Sequence, residues 1–395
     1  MALVPLIIPE KPAAAMAALR AAGIPAWVVG GAVRDSLLGR PVKDWDLTVE
    51  CGPEQLARAL PDAVPMGGVY GTMTWHGVEI TPCRAETGYS DRRHPDTVVF
   101  GAGLRQDLAR RDFTINAMAY DGAVVTDPYH GHIDLADRVL RCVGEPARRF
   151  DEDALRILRL YRFAGVLDFV PEPETERAAL ALAPTLAAVS GQRVREELNK
   201  ALAGPRPSAL GPLLAADGLA AFGLRGGALR ADPDALAPLD QVPPDLLCRW
   251  WALLRLTDSS LPAVRRAFDF GRNFCRAVEK LDGWCTGGCP ADRHALKLLL
   301  MDPPPFSVED AIRALAAVSP EFAEMPEQYA YLCASGEPYR KEQLAITPAE
   351  LLALGVPGRK IGAVQRCLLK AVIDTPEWNV WPTLAHMAEG LWPLV

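Results

Sequence analysis

The chain has 395 residues, half of them hydrophobic and 23% charged, which is ample for roughly two to four folded domains or sub-domains and leaves no segment with the polar bias of a disordered tract. Its formal net charge of −7 excludes an even coat of cations but is compatible with a local basic cleft. No uncharged apolar run of about 18 residues and no basic-then-apolar leader is present, so neither a membrane span nor a signal peptide is expected, and the nine cysteines are expected as reduced thiols in the cytoplasm.

Residues 11–22 carry Ala and Leu at helical spacing. Residues 26–29 are a β-rich run that ends in Gly30-Gly31, and 32–38 then read as a helix. A strand at 47–49 and a helix at 53–60, with Pro53 at its start, follow. Runs at 72–75 and 78–81 flank His76-Gly77 as a hairpin, and 124–126 adds a strand beside Asp121-Gly122. From Asp134 onward helical patterns dominate, strongest at 151–164 and 192–202. Residues 204–245 are rich in Pro and Gly, and further helices are expected at 246–255, 262–282, 291–301, 308–317 and 361–373. The change of character near residue 135 predicts an α/β head joined to an all-α remainder.

Several segments carry polar groups in patterns that suit chemistry. Gly30-Gly31 between a buried strand and a helix lets backbone N–H groups approach a phosphate, although such a turn also has a plain structural use. Asp44 and Asp46, spaced i and i+2 in extended chain, point to one side. A like-charge pair of that kind is costly unless a cation bridges it, and hard oxygen ligands beside a phosphate favour Mg²⁺. Glu79, between Val78 and Ile80 on a second strand, is a third carboxylate that fits in-line displacement at a metal. Arg110-Arg111-Asp112, ahead of Asn116, reads either as a helix cap or as a guanidinium clamp on a triphosphate with Asp or Asn near the sugar. The charged stretch 84–95 reads as a mobile functional loop. Asp153 and Arg156 lie three apart on the helix expected at 151–164, where a surface salt bridge is the bland alternative. Cys275, Cys285, Cys289 and His294 are spaced too loosely for zinc and are expected to be buried or free.

Together these segments resemble the class II tRNA nucleotidyltransferases, a branch of the polymerase-β-like superfamily that includes bacterial poly(A) polymerases. The resemblance rests on GGAVRDSLLG at 30–39, DWDL at 44–47, RRDFTINAMAYD at 110–121, GHIDL at 131–135 and FDEDALRILRLYRF at 150–163. The segment from Ser190 to Leu198 resembles the family's later neck, with Gln192 where the family usually has Glu. Residues 344–379 resemble the tail of bacterial CCA-adding enzymes that lack a phosphohydrolase domain, and the absence of any His-Asp dipeptide agrees with that.

The resemblance implies an α+β fold class: a nucleotidyltransferase head with a mixed sheet at 1–137, a helical neck at 138–204, a helical body at 205–335 and a tRNA-binding tail at 336–395. It implies template-independent addition of C, C and A to the 3′ end of tRNA, with CTP and ATP as substrates, Mg²⁺ as cofactor and no membrane partner. Asp44 and Asp46 would hold the metal, with Glu79 in support. Gly30, Gly31 and Arg34 would face the triphosphate, and Arg111, Asp112 and Asn116 the ribose and phosphates. Glu152, Asp153 and Arg156 would read the incoming base, with Arg159 also at the nucleotide. Arg359 and Lys360, in the turn 355–362, are expected on RNA phosphate. Addition of only CC or only A, polyadenylation, and a non-catalytic RNA-binding role remain alternatives. Nothing in these features sets an oligomeric state.

Overall fold

The strands of the N-terminal part are short apolar or β-branched runs, most of them stopped by glycine, proline or a tight turn. The computed structural model describes residues 6–67, 70–88, 96–257, 259–302 and 304–395. Its strands are β1 (Ala26–Val29), β2 (Leu47–Val49), β3 (Val64–Pro65), β4 (Met73–Trp75), β5 (Val78–Pro82), β6 (Arg84–Thr87), β7 (Thr97–Phe100), β8 (Ala119–Tyr120), β9 (Val125–Thr126), β10 (Val139–Leu140) and β11 (Val170–Pro171). Seven of them form one mixed sheet in the order β3-β4-β5-β2-β1-β8-β9. Only β2 and β5 run parallel in it, with Leu47 opposite Ile80. One residue back along both strands, that register aligns Asp46 with Glu79. The β4–β5 hairpin turns at His76 and Gly77, with φ of 50° and 85°, the left-handed pair that matches strand twist in a two-residue loop.

The helices that matter for the site are α1 (Glu10–Ala21), α2 (Gly31–Leu37), α3 (Pro53–Ala59), α4 (Leu104–Ala109), α5 (Gly131–Ala136), α6 (Pro146–Glu152), α7 (Leu155–Leu167), α8 (Pro173–Leu182) and α9 (Gly191–Leu202). Val28, Phe113, Ile115, Phe150, Leu158 and Tyr161 are buried in the core of this part. The apolar side of α9, Val194, Leu198, Ala201 and Leu202, is buried, and α9 packs against α7.

The chain divides into two compact units, Met1–Asp234 and Ala235–Val395. The described residues of the second form helices and no strands, and five of its helices start at a capping side chain. Asp245, Ser260, Asp292, Ser307 and Thr347 each accept a backbone N–H of the helix they precede. Its C-terminal part is centred on Ile346, Leu351, Val364, Leu368, Val372 and Leu384.

The structure departs from the sequence reading in four places. The helix expected at 151–164 is two helices, because Asp153 adopts φ −149° and ψ 103° between α6 and α7. The helix expected at 262–282 is also two, Leu261–Phe268 and Arg272–Thr286, parted by Asp269 in the left-handed region and by Gly271. Arg84 to Thr87, expected in a loop, pairs as β6 with β7, while 89–95 of that stretch lie outside the described residues. The remainder after residue 135 is helical except for the short parallel pair β10–β11.

Candidate active site

Gly30 ends β1 with φ 68° and ψ −128°, a conformation that side-chain-bearing residues avoid, and α2 starts at the next residue. A Cβ there would stand 2.8 Å from Arg111 Nη1. Arg34, one turn into α2, is largely buried; it pairs with Asp35 and donates from Nη1 to Asn116 Oδ1 at 2.6 Å. Arg111 donates from Nη2 to buried Asp107 Oδ2 at 3.2 Å, and its buried Nε has no protein partner. Burial alone would raise the Asp107 carboxyl, but Arg110 and Arg111 outweigh it and hold the group below the ordinary carboxylate range. The Thr114–Asn116 turn that presents Asn116 rests on Gly131, where a Cβ would lie 2.2 Å from the Thr114 carbonyl oxygen.

Asp44 and Asp46 precede β2 rather than lying within it, and both are exposed. The backbone of Asp46 is nevertheless fixed, because its carbonyl accepts the Val29 amide at 3.1 Å. Its carboxyl is pushed up by partial burial and then by the negative charges of Glu79 and Asp44, against the pull of Arg111. This repulsion is the property a divalent cation would relieve, and the all-oxygen donor set suits Mg²⁺. Among the described residues no three His, Cys, Asp or Glu side chains already stand close enough to enclose an ion.

Across from the head lie the residues around α7. Asp153 stands just ahead of that helix: Oδ1 accepts the Leu155 amide at 3.2 Å, and Oδ2 accepts Arg193 Nη2 at 3.0 Å. Arg156 does not pair with Asp153. It donates to Glu152 Oε2 at 2.8 Å, to the Arg149 carbonyl at 2.9 Å and to the Arg110 carbonyl at 3.0 Å. Those bonds use three of the five guanidinium N–H groups and leave one on Nε and one on Nη2. Arg159 donates twice to Asp112 Oδ2, at 2.8 and 2.6 Å. Asp112 Oδ1 accepts the Phe113 amide and Asn116 Nδ2. Burial would raise Asp112, but Arg159 and these hydrogen bonds carry it well below the usual carboxylate range. Glu197 of α9 is buried and balanced by Arg162, Arg159 and Lys200, which together overcome the effect of burial and lower its carboxyl. The Phe163 ring stands among the guanidinium groups of Arg34, Arg159 and Arg162, at 5.1, 5.4 and 3.9 Å from its centroid.

One cavity of about 630 Å³ gathers these groups. Its head side carries Gly30, Gly31, Arg34, Asp44 and Asp46, with Arg111, Asp112 and Asn116 beyond them. Its other side carries Asp153, Arg156 and Arg159. Glu79 stands outside this lining, beside Asp46, and Glu152 stands behind Arg156. The sequence reading passed over Arg162, Phe163, Arg193 and Lys200, which also line the cavity. The motif at 150–163 and the neck-like segment after Ser190 contain the first three, but their convergence depends on contacts between α7 and α9. Arg359 and Lys360 belong to the second unit. Arg359 is exposed there, whereas the Lys360 ammonium donates to the Trp392 carbonyl at 3.1 Å. Cys275, Cys285 and Cys289 have separate partners in Phe270, Ser319 and Pro290, and His294 faces Asp374.

Residues 26–141 match the family described as the poly A polymerase head domain, and residues 168–226 match the probable RNA and SrmB-binding site of polymerase A. A CCA-adding enzyme of Geobacillus stearothermophilus is 41% identical over 215 residues, covering 53% of each chain. One of Streptococcus suis is 44% identical over 189 residues, covering 47% of each. The chain thus spans about half the length of the curated relatives it matches. Among solved structures, the Bacillus stearothermophilus CCA-adding enzyme in complex with CTP is similar over 93% of this chain and 94% of its own, with 26% identity and a TM-score of 0.69. The Thermotoga maritima CCA-adding enzyme complexed with tRNA shares the fold at a TM-score of 0.69 and 22% identity, over 98% of this chain and 97% of its own. No helix among the described residues is long and apolar enough to cross a membrane.

Proposed function

We propose that this chain, whose residues 26–141 match the poly A polymerase head domain, adds C, C and A in turn to the 3′ end of tRNA from CTP and ATP, without a nucleic-acid template. The observation that carries this reading is the single cavity in which Asp44 and Asp46, a guanidinium wall and the side chains of Asp153 and Arg156 face a common space. On this proposal residues 1–137 are the catalytic head, 138–204 the neck, 205–335 the body and 336–395 the tail, the last two gripping tRNA in the cytoplasm.

Asp44 and Asp46 are the residues that would hold Mg²⁺, with Glu79 as the supporting carboxylate. The ion, when bound, supplies Lewis-acid polarisation of the reacting phosphate and favours the deprotonated 3′ hydroxyl. Gly30 and Gly31 let the backbone come close to the triphosphate, and Arg34 and Arg111 offset its charge. Asn116 faces the ribose. Asp112 orders it from behind while fixing Arg159.

Asp153 is an acceptor when ionised, and Arg156 keeps two N–H donors open. Cytosine offers an N4 amino donor and an N3 acceptor, and adenine offers N6 and N1 in the same sense. Uracil and guanine present the reverse at O4 and N3–H, or at O6 and N1–H. A mismatched base leaves buried polar groups unpaired, at about 1–3 kcal/mol each. Glu152 holds Arg156 in place for this selection.

The test is incubation of a tRNA truncated at its discriminator base with Mg²⁺ and each labelled nucleotide, singly and combined. The expected result is two additions with CTP alone, a third only when ATP is also present, and none with UTP or GTP. A long adenylate tail from ATP alone would mark a poly(A) polymerase, and arrest at CC with both nucleotides present would mark a partial enzyme.

A further inference from the structure

The Asp153 carboxylate is held at two points. The start of α7 takes Oδ1 through the Leu155 amide, and Arg193 on α9 takes Oδ2. Arg193 lies in the first turn of α9 and lines the cavity. It shares one helix face with Glu197 and Lys200, at i, i+4 and i+7. Glu197 is buried against Arg159 and Arg162, and Arg159 in turn grips Asp112 in the head. The adjoining face of α9 is seated in the core by Val194, Leu198, Ala201 and Leu202. Arg193 therefore projects from a helix that has little freedom to shift. Its partner is the carboxylate proposed above to read the base.

We infer that Arg193 is a specificity-determining positioning residue: it fixes the orientation of the Asp153 carboxylate so that its open lone pairs stay in register with the open donors of Arg156. The inference rests on the base-reading role given above to Asp153 and Arg156. With Arg193 removed, the carboxylate keeps only its bond to the Leu155 amide and turns about its side-chain torsions. An acceptor free to turn no longer demands an amino group at one place, and a carbonyl-bearing base edge is admitted at lower cost. Arg193 is the residue that converts a carboxylate near the base into a reader of nucleotides with an amino group on the pairing edge.

The experiment compares wild type, Arg193→Met, Arg193→Lys, Asp153→Ala and the Arg193→Met/Asp153→Ala double variant for single-nucleotide incorporation on truncated tRNA. If wild type fails to incorporate CTP, the proposed function is what fails, and the inference is then withdrawn with it. Given an active wild type, Arg193→Met is expected to lower the CTP-to-UTP ratio of kcat/KM by roughly tenfold or more. The melting temperature and tRNA affinity should stay close to wild type. Arg193→Lys, which restores a charged donor without the planar fork, is expected to recover part of the ratio. The double variant should discriminate no worse than Asp153→Ala alone, since both changes act through one carboxylate. Undiminished selectivity in Arg193→Met, or effects that simply add in the double variant, would overturn the inference.

Discussion

At Gly30 the chain turns from β1 into α2 with φ 68° and ψ −128°, directly beneath Arg111. Gly30→Ala adds about 1–3 kcal/mol of backbone strain and forces the Arg111 guanidinium, tied to Asp107, away from its place. The expected outcome is a lower melting temperature and a raised KM for CTP, with tRNA affinity unchanged; calorimetry and steady-state kinetics read the two parts separately. Asp46 stands at the other limit, where the backbone is held by Val29 but the side chain is open. Asp46→Ala removes one of the two proposed metal ligands and relieves the repulsion with Asp44 and Glu79. Turnover should therefore fall by at least about a hundredfold while the fold is kept or slightly strengthened. A folded Asp46→Ala protein with near-normal turnover would remove Asp46 from the catalytic role.

Helix α9 fastens Asp153, through Arg193, and Asp112, through Glu197 and Arg159, by charge, and its buried Glu197 makes that fastening sensitive to acid. The Glu197 carboxyl lies below its ordinary value, so its stabilisation is complete above the usual pKa of about 4.3 and is lost as the pH falls through the depressed native value. Glu197→Gln should thus cost about 3 kcal/mol near neutrality, by leaving Arg162 and Arg159 uncompensated, and the gap to wild type should narrow below pH of about 4. Denaturant titrations across pH measure this, and a gap that widens toward acid would contradict the assignment. Elements written in local pattern were legible in the sequence: β1 between its apolar run and Gly30, β2 after Asp46, and the His76-Gly77 hairpin. The break at Asp153 was hidden because 151–164 has unbroken helical periodicity, whereas the Asp153 carboxylate bonds locally to the Leu155 amide at the interruption. The separate pair β6–β7 was hidden because β6 carries Arg84 and Glu86, charges that read as loop. Much of the cavity could be assembled from motifs. Arg193, Arg162 and Lys200 enter it only through the packing of α9 on α7, which no local spacing encodes.

Over the whole molecule a net charge of −7 coexists with a cavity lined by arginines, so attraction for phosphate is concentrated rather than spread. The tail turn is a proposed second point of contact, and its two cations are unequal. Arg359 is exposed, while Lys360 is tied to the Trp392 carbonyl. Arg359→Ala should weaken tRNA binding and reduce the salt dependence of log Kd by about one phosphate contact, with less effect on a short minihelix; Lys360→Ala should chiefly lower the melting temperature. Filter-binding titrations at several salt concentrations, with thermal melts alongside, separate the two. On the proposed reading, the two N–H groups that Arg156 keeps open also limit what the protein can know about its substrate. One acceptor beside a donor fork answers a single yes-or-no question, whether the pairing edge runs amino-then-acceptor, and so carries one bit. Naming one nucleotide among four takes two bits. The missing bit, cytosine or adenine, must then be held by the RNA itself: the number of residues already added to the 3′ end is the memory that the enzyme consults.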